Sequence, residues 1–492
     1  MFFKKQSRLF TFLFKQDNFP IILAPVETTT RDLYWKVRLY AELDKFPFLI
    51  IGRYEIINSL LRFSKGCIYL GKNIIQHGGK LTKKRTKELV NICDYRNHKV
   101  FFIDEEGGLF NLKKDERKKY FLKRHALEIM PKNTKLLVWG EEQFDLLKEK
   151  YGDLIAKEKI ILSGTPRFRP INNSHRETIK KRMHDTYGKY ILMNSNFSLQ
   201  TTWTLSEIFS NEIWLDIFEE NDHRLSEIKT LNIFLGIIDF LNNILKEDVN
   251  ILIKVHPAED IRYYEYLSRK FQKVKIVGKT SLPVSDYIIG SIYSISTRCT
   301  TAIESKIFEV PSISIGNKDE IPLNASEMNV YNLNEFKYEF FKFLDDLDIK
   351  KKNYFISNEN YTIQTSNLNI KNIQKKSLKS CMMLDENIRH FEIGKHKEDL
   401  LINKIKLLFD ERIHSKGFMN LIFCSFFFSS VAIIKDCLKS FIFLILKRYP
   451  KRKLKFKKMD TDRLAEEMNF CSIRHNYKII NLFGQVCFIF RY

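Results

Sequence analysis

Between Pro20 and about Asp104, short apolar runs alternate with stretches whose apolar residues recur at helical spacing. PIILAPVE, PFLIIGRYE, GCIYLGKN and KVFFIDEE read as strands, and TRDLYWKVRLYAELDKF, IINSLLRF and TKKRTKELVNICDY as helices. TKLLVWG and KIILSGTPRF carry the pattern to about residue 170. A polar joint, RPINNSHRET, follows, and the alternation restarts at KYILMNSNFS. A long helical region, about Thr204 to Lys246, precedes the strand in DVNILIKVHPAED; then come the helix IRYYEYLSRKF and the strand KVKIVG. VSDYIIGS reads as a short helix, IYSIST as a strand, TTAIESKIFEV as a helix and PSISIG as a closing strand. Strands separated by helices imply βαβ units and parallel, doubly wound sheets.

Two such blocks around a joint predict an α/β chain of GT-B-like architecture, with two Rossmann-like domains facing across a cleft and a C-terminal helical, membrane-associated tail. The expected boundaries are 1–172 and 173–325 for the two Rossmann-like domains, 326–416 for closing helices and loops, and 417–492 for the tail. In open sheets of this kind, ligands lie outside the carboxyl ends of the strands. The length of 492 residues suits two domains, and an apolar share of 44% supports two cores.

The last region changes the picture. Phe418–Ile434 is uncharged for 17 residues, close to the lower limit for a bilayer span. Lys447–Lys458 then holds eight cations in twelve residues. An interfacial helix pair with a polybasic anchor on anionic lipid is the expectation for 418–458, beside a buried terminal hairpin and a true span. The start, MFFKKQSRLFTFLFKQ, reads as an amphipathic segment rather than a secretory signal.

Overall, 82 Lys and Arg against 59 Asp and Glu give a net charge of +23, which favours anionic partners. Eight scattered cysteines show neither zinc-ligand spacing nor a disulfide framework, so a reducing cytoplasm is expected and no metal. No nucleic-acid recognition signature accompanies the charge, which leaves nucleic acid out of the expected partners.

Three polar features stand at predicted strand ends. In ILIKVHPAED, His256 can hydrogen-bond a phosphate oxygen, and Pro257 fixes the chain's exit direction; a structural histidine is the plain alternative. In CTTAIES, Thr300 and Thr301 open a helix, where hydroxyls serve as N-caps or, with the free N–H groups, as a phosphate site. Glu304, one turn on, is a candidate for a ribose diol or a solvated carboxylate. In FFIDEEGGLF, the adjacent Glu105 and Glu106 repel each other. Repulsion raises one pKa toward the range of a general base, unless the turn is merely solvated. Arg167 in GTPRF is either a surface side chain or a partner for a sugar carboxylate or phosphate. His77 in QHGGK lines an acceptor cleft or sits in an ordinary turn.

In their order, DEEGG, GTPRF, KVHPAED and CTTAIES…EVPSISIG resemble the bacterial surface carbohydrate biosynthesis proteins. They are similar also to GT-B-type sialyltransferases and Kdo transferases, over about residues 20–320. Two departures stand out: FEVP where a glycine before the valine is usual, and Arg298 before Cys-Thr-Thr.

The resemblance implies that Glu106 or Glu105 is the catalytic base on the acceptor hydroxyl. It also implies that His256, Thr300 and Thr301 hold the CMP phosphate and that no metal or other cofactor takes part. The expected activity is transfer of a nonulosonic-acid or Kdo-type sugar from a CMP-activated donor to a surface polysaccharide or lipid-linked glycan. Its expected place is the cytoplasmic face of the membrane. The alternatives are a CDP-polyol phosphotransferase of the teichoic-acid type and a non-catalytic anion- or nucleic-acid-binding protein.

Overall fold

The computed structural model describes residues 21–43, 48–72, 80–103, 122, 130–138, 141–163, 167, 171–197, 220–257, 259–278, 282–297, 299–316, 328–347, 356, 424–434, 459–471, 477–483 and 485–491. The α/β class of two parallel, doubly wound sheets is the one expected.

In the first block, β1 (Ile21–Val26), β2 (Phe48–Arg53), β3 (Ile68–Lys72), β4 (Lys99–Ile103), β5 (Thr134–Val138) and β6 (Ile160–Leu162) pair in parallel in the order β2-β1-β3-β4-β5-β6. Helices α1 (Tyr34–Glu42), α2 (Tyr54–Leu60), α3 (Lys80–Tyr95) and α4 (Glu141–Ala156) connect them. A single π-helical turn, Thr29–Leu33, leads into α1. Every residue of β1 is buried, because the strand has a core on each face. That is why parallel strands read as unbroken apolar runs.

The second block begins with α5 (Asn173–Tyr187), whose Asn172 cap accepts from the His175 N–H at 2.8 Å. Gly188, at φ +71°, ends that helix in a backbone conformation other residues seldom adopt. Then follow β7 (Lys189–Asn194), α6 (Glu220–Ile244), β8 (Val249–Lys254), α7 (Ile261–Lys270), β9 (Val274–Val277), α8 (Val284–Gly290), β10 (Tyr293–Thr297), α9 (Thr301–Ile307), β11 (Ser312–Ile315), β12 (Met328–Val330) and α10 (Leu333–Asp345). The spatial order is β12-β11-β10-β7-β8-β9, again with a core on each face.

The described parts of 417–492 pack with the first block. Helix α11 (424–434) packs Cys424, Phe428 and Ala432 against the core of the first sheet. Helix α12 (Thr461–Cys471) lies against α1, and the antiparallel hairpin β13 (Tyr477–Leu482) and β14 (Val486–Arg491) extends the first sheet beyond β2. The physical reason is edge pairing: β2 offers a free ladder, and Phe488 sits opposite Ile50 with both side chains buried.

α12 also joins the two blocks. Its buried Arg463 donates to both carboxylate oxygens of Asp286 on α8, at 3.0 and 3.2 Å, and pairs with Glu467 at 2.6 Å. Arg182 on α5 bridges Asp286 and Glu466. Burial opposes charge on Glu466, yet the His175 ring, Arg463 and Arg182 bring its carboxyl down to about 2. The segment 1–20, the run 447–458 and the closing region 348–416 (apart from residue 356) lie outside the described residues. Among the described residues, no helix is long and apolar enough to cross a membrane.

Candidate functional site

Counting β7 as the first strand of its sheet, the spatial order reads 3-2-1-4-5-6. The direction of winding reverses between β7 and β10, and a crevice opens there at the carboxyl ends. Asn194, the last residue of β7, pairs in register with Ser296 of β10 on one side and Lys254 of β8 on the other. Adjacent strands lie about 4.8 Å apart, so the ends of β8 and β10 stand about 10 Å apart with β7 between them. His256 follows β8 and the Thr300–Thr301 pair follows β10, so both sequence features flank the same strand end. Pro257 continues the turn beyond His256, and both residues are half-buried.

The turn after β8 is tied down by a residue that the sequence reading passed over. Glu259 is buried; its Oε2 accepts from the Ser195 hydroxyl at 2.9 Å and from the Tyr264 hydroxyl, and its Oε1 from the Phe197 N–H at 2.5 Å. The Ser195 oxygen in turn accepts the His256 N–H at 3.1 Å. A buried carboxylate thus holds the backbone of the His-Pro turn through one hydroxyl. Burial pushes the Glu259 carboxyl up to about 7, although all three hydrogen bonds favour the charged form. The signal was the first acid in HPAED. Only Asp260 acts as that pattern suggests, capping α7 by accepting the Arg262 N–H at 3.0 Å.

At the other flank, Thr300 has helical φ and ψ and makes no side-chain cap. Its hydroxyl accepts from Arg167 Nη2 at 3.2 Å, and the same nitrogen pairs with the buried Glu304. Glu304, a candidate for a ribose diol or a solvated carboxylate, and Arg167, a candidate for an anionic ligand or a surface position, pair with each other. This pair ties the segment after β6 to the start of α9.

Several polar atoms at the crevice have no partner among the described residues: both side-chain atoms of Asn194, the Ser296 hydroxyl and the Thr301 hydroxyl. All three residues are at least 95% buried. An unsatisfied buried group costs about 1–3 kcal/mol, so three residues of this kind at one strand reversal mark a place suited to a hydrogen-bonding ligand.

Glu105 and Glu106, which follow β4 in the chain, lie outside the described residues, as do His77 and Arg298. Among the described residues, no three His, Cys, Asp or Glu side chains are grouped as metal ligands would be.

Known structures resemble this chain only loosely. The S. aureus MnaA–UDP co-structure is 11% identical, covering 68% of this chain and 89% of its own at a TM-score of 0.38. The wall teichoic acid polymerase TagF is 13% identical, covering 80% and 90% at 0.38. The Methanocaldococcus jannaschii UDP-GlcNAc 2-epimerase in complex with UDP-GlcNAc and UDP is 12% identical, covering 70% and 98% at 0.38. No protein-family model and no curated protein matches the chain.

Proposed function

We propose that this protein is a glycosyltransferase that moves a sugar of nonulosonic-acid or Kdo type from a CMP-activated donor to a surface polysaccharide or lipid-linked glycan. The observation that carries the reading is the set of unpartnered polar groups of Asn194, Ser296 and Thr301 at the strand reversal of the second sheet. A nucleotide phosphate supplies acceptor oxygens for hydroxyl and amide donors, and this is where doubly wound sheets bind nucleotides. The order of DEEGG, KVHPAED and CTTAIES supports the narrower choice of donor.

In this mechanism the acceptor hydroxyl oxygen forms a bond to the anomeric carbon as the bond from that carbon to the CMP phosphate oxygen breaks. Glu106 or Glu105 takes the hydroxyl proton. His256 and the hydroxyls of Thr300 and Thr301 hydrogen-bond the departing phosphate, stabilising charge where it develops. The Arg167–Glu304 pair holds Thr300 in place, and Glu259 with Ser195 does the same for the His256 turn.

The test is a comparison of thermal protection by CMP, CDP-glycerol and UDP, followed by a transfer assay with the protecting donor class. CMP giving the largest rise in melting temperature, reduced by Thr301→Val, supports the reading. CDP-glycerol alone protecting would transfer the site to polyol-phosphate chemistry. Protection by none of the three would remove the nucleotide site.

A further inference from the structure

Helix α11 packs Cys424, Phe428 and Ala432 against the core, yet its outer face is apolar as well. Ser425 and Ser429, one turn apart, face inward with no exposed surface, and neither hydroxyl has a partner among the described residues. Phe426, Phe427, Val431 and Ile434 face outward and are 45–58% exposed. A surface helix of a water-soluble protein points its apolar stripe at the core and its polar residues at solvent. Small residues packed inward with bulky apolar ones outward is the pattern of a helix whose outer face meets hydrocarbon.

Two residues from elsewhere in the chain enlarge the face. Phe63, just beyond α2, is 46% exposed, and its ring lies 5.8 Å from that of Phe428. Phe483, between β13 and β14, is 47% exposed, with its ring centroid 5.5 Å from that of Phe426. Phe483 also has φ +57°. A bulky aromatic in the left-handed region is strained, and strain of this kind is retained where a side chain must be presented. Helix, loop and hairpin tip therefore offer one aromatic surface.

We infer that Phe63, Phe426, Phe427, Val431, Ile434 and Phe483 form a face that inserts into the interfacial layer of an anionic lipid bilayer. Charge complementarity selects that occupant: Lys447–Lys458, downstream of α11, carries eight cations in twelve residues and no acid. Aromatic insertion and basic attraction are the two signals that together hold a protein on a membrane surface. Among the described residues, no helix is long and apolar enough to cross a membrane. The inference is independent of the transfer reaction proposed above.

The experiment is co-sedimentation of the full chain with phosphatidylcholine–phosphatidylglycerol vesicles and with phosphatidylcholine vesicles alone. Binding to the anionic vesicles at least about tenfold tighter than to the neutral ones is expected. The double substitution Phe427→Ser with Ile434→Ser should lower the partition coefficient at least about tenfold with no fall in melting temperature. As a readout that removes no apolar group, Phe483→Trp should show a blue shift of indole emission on anionic vesicles and quenching by brominated acyl chains. A chain that stays in the supernatant, an indole emission that does not move, or equal partition of the double variant would each overturn the inference. So would concentration-dependent self-association abolished by the same double substitution, which would assign the face to a second copy of the chain.

Discussion

The two sheets end very differently at their carboxyl edges. At the end of β1 the polar groups are closed on one another. Asp32 Oδ2 accepts the N–H groups of Thr28 at 2.8 Å and Glu27 at 3.2 Å, its Oδ1 meets Arg31 Nε at 2.6 Å, and Lys36 Nζ donates to the Pro25 carbonyl at 2.5 Å. Burial opposes ionisation of Asp32, yet Arg31 and Lys36 hold its carboxyl below the ordinary range. At the end of β7, in contrast, Asn194, Ser296 and Thr301 keep polar atoms without partners among the described residues. The described end of β1 is thus internally satisfied, whereas that of β7 holds hydrogen-bonding capacity in reserve among the described residues.

The largest effect expected from this contrast concerns chemistry supplied by the first block to a ligand held by the second. Glu106→Gln or Glu105→Gln, whichever residue is the base, should lower the transfer rate by about two to four orders of magnitude while CMP protection stays unchanged. Equal turnover in both variants would remove the acid–base assignment.

Next comes the closed edge. Asp32→Ala leaves Arg31 and two buried N–H groups without their acceptor and should cost about 3 kcal/mol in urea unfolding. Nucleotide protection should persist at temperatures where the variant is folded. Loss of nucleotide affinity without loss of stability would reverse the roles of the two edges.

Glu259 links stability to pH within the open edge. Its carboxyl is raised from 4.5 to about 7 in the fold, so the native state holds an additional proton between those values. The associated stability is fully present below about pH 4.5 and lost as pH rises through 7, a change of about 3 kcal/mol. Urea midpoints measured across that range should fall with rising pH, and Glu259→Gln should flatten the profile.

The smallest effect is the sharpest test of reserve capacity. Thr301→Val removes a hydroxyl with no partner among the described residues, so stability should move by less than about 0.5 kcal/mol. Affinity for the protecting nucleotide should nevertheless fall about tenfold, read by titration calorimetry.

Most of the parallel architecture was legible in the sequence, because each βαβ unit is local: IILAPV, FLIIGR and VNILIK are apolar throughout and flanked by helical periodicity. The hairpin β13–β14 was not assigned to the first sheet, since its pairing with β2 spans most of the chain and has no local signature. The placement of His256 and Thr300 just after β8 and β10 was legible from the strand patterns before them. Glu259 was not, because its burial is decided by Ser195, Phe197 and Tyr264, which arrive from other elements. The Arg167–Glu304 pair escaped for the same reason, its partners being 137 residues apart. The uncharged run Phe418–Ile434, which includes α11, announced apolar character, but not which face the serines would take.

The pairing of β14 with β2 bears on how the molecule is born. During synthesis the first block emerges early, yet its β2 edge stays uncovered until residues 486–491 leave the ribosome. Throughout that interval a chaperone, or premature pairing with a neighbouring nascent chain, competes for the ladder that β14 eventually occupies. The amino-terminal sheet is therefore completed only after the whole of the second block has been synthesised.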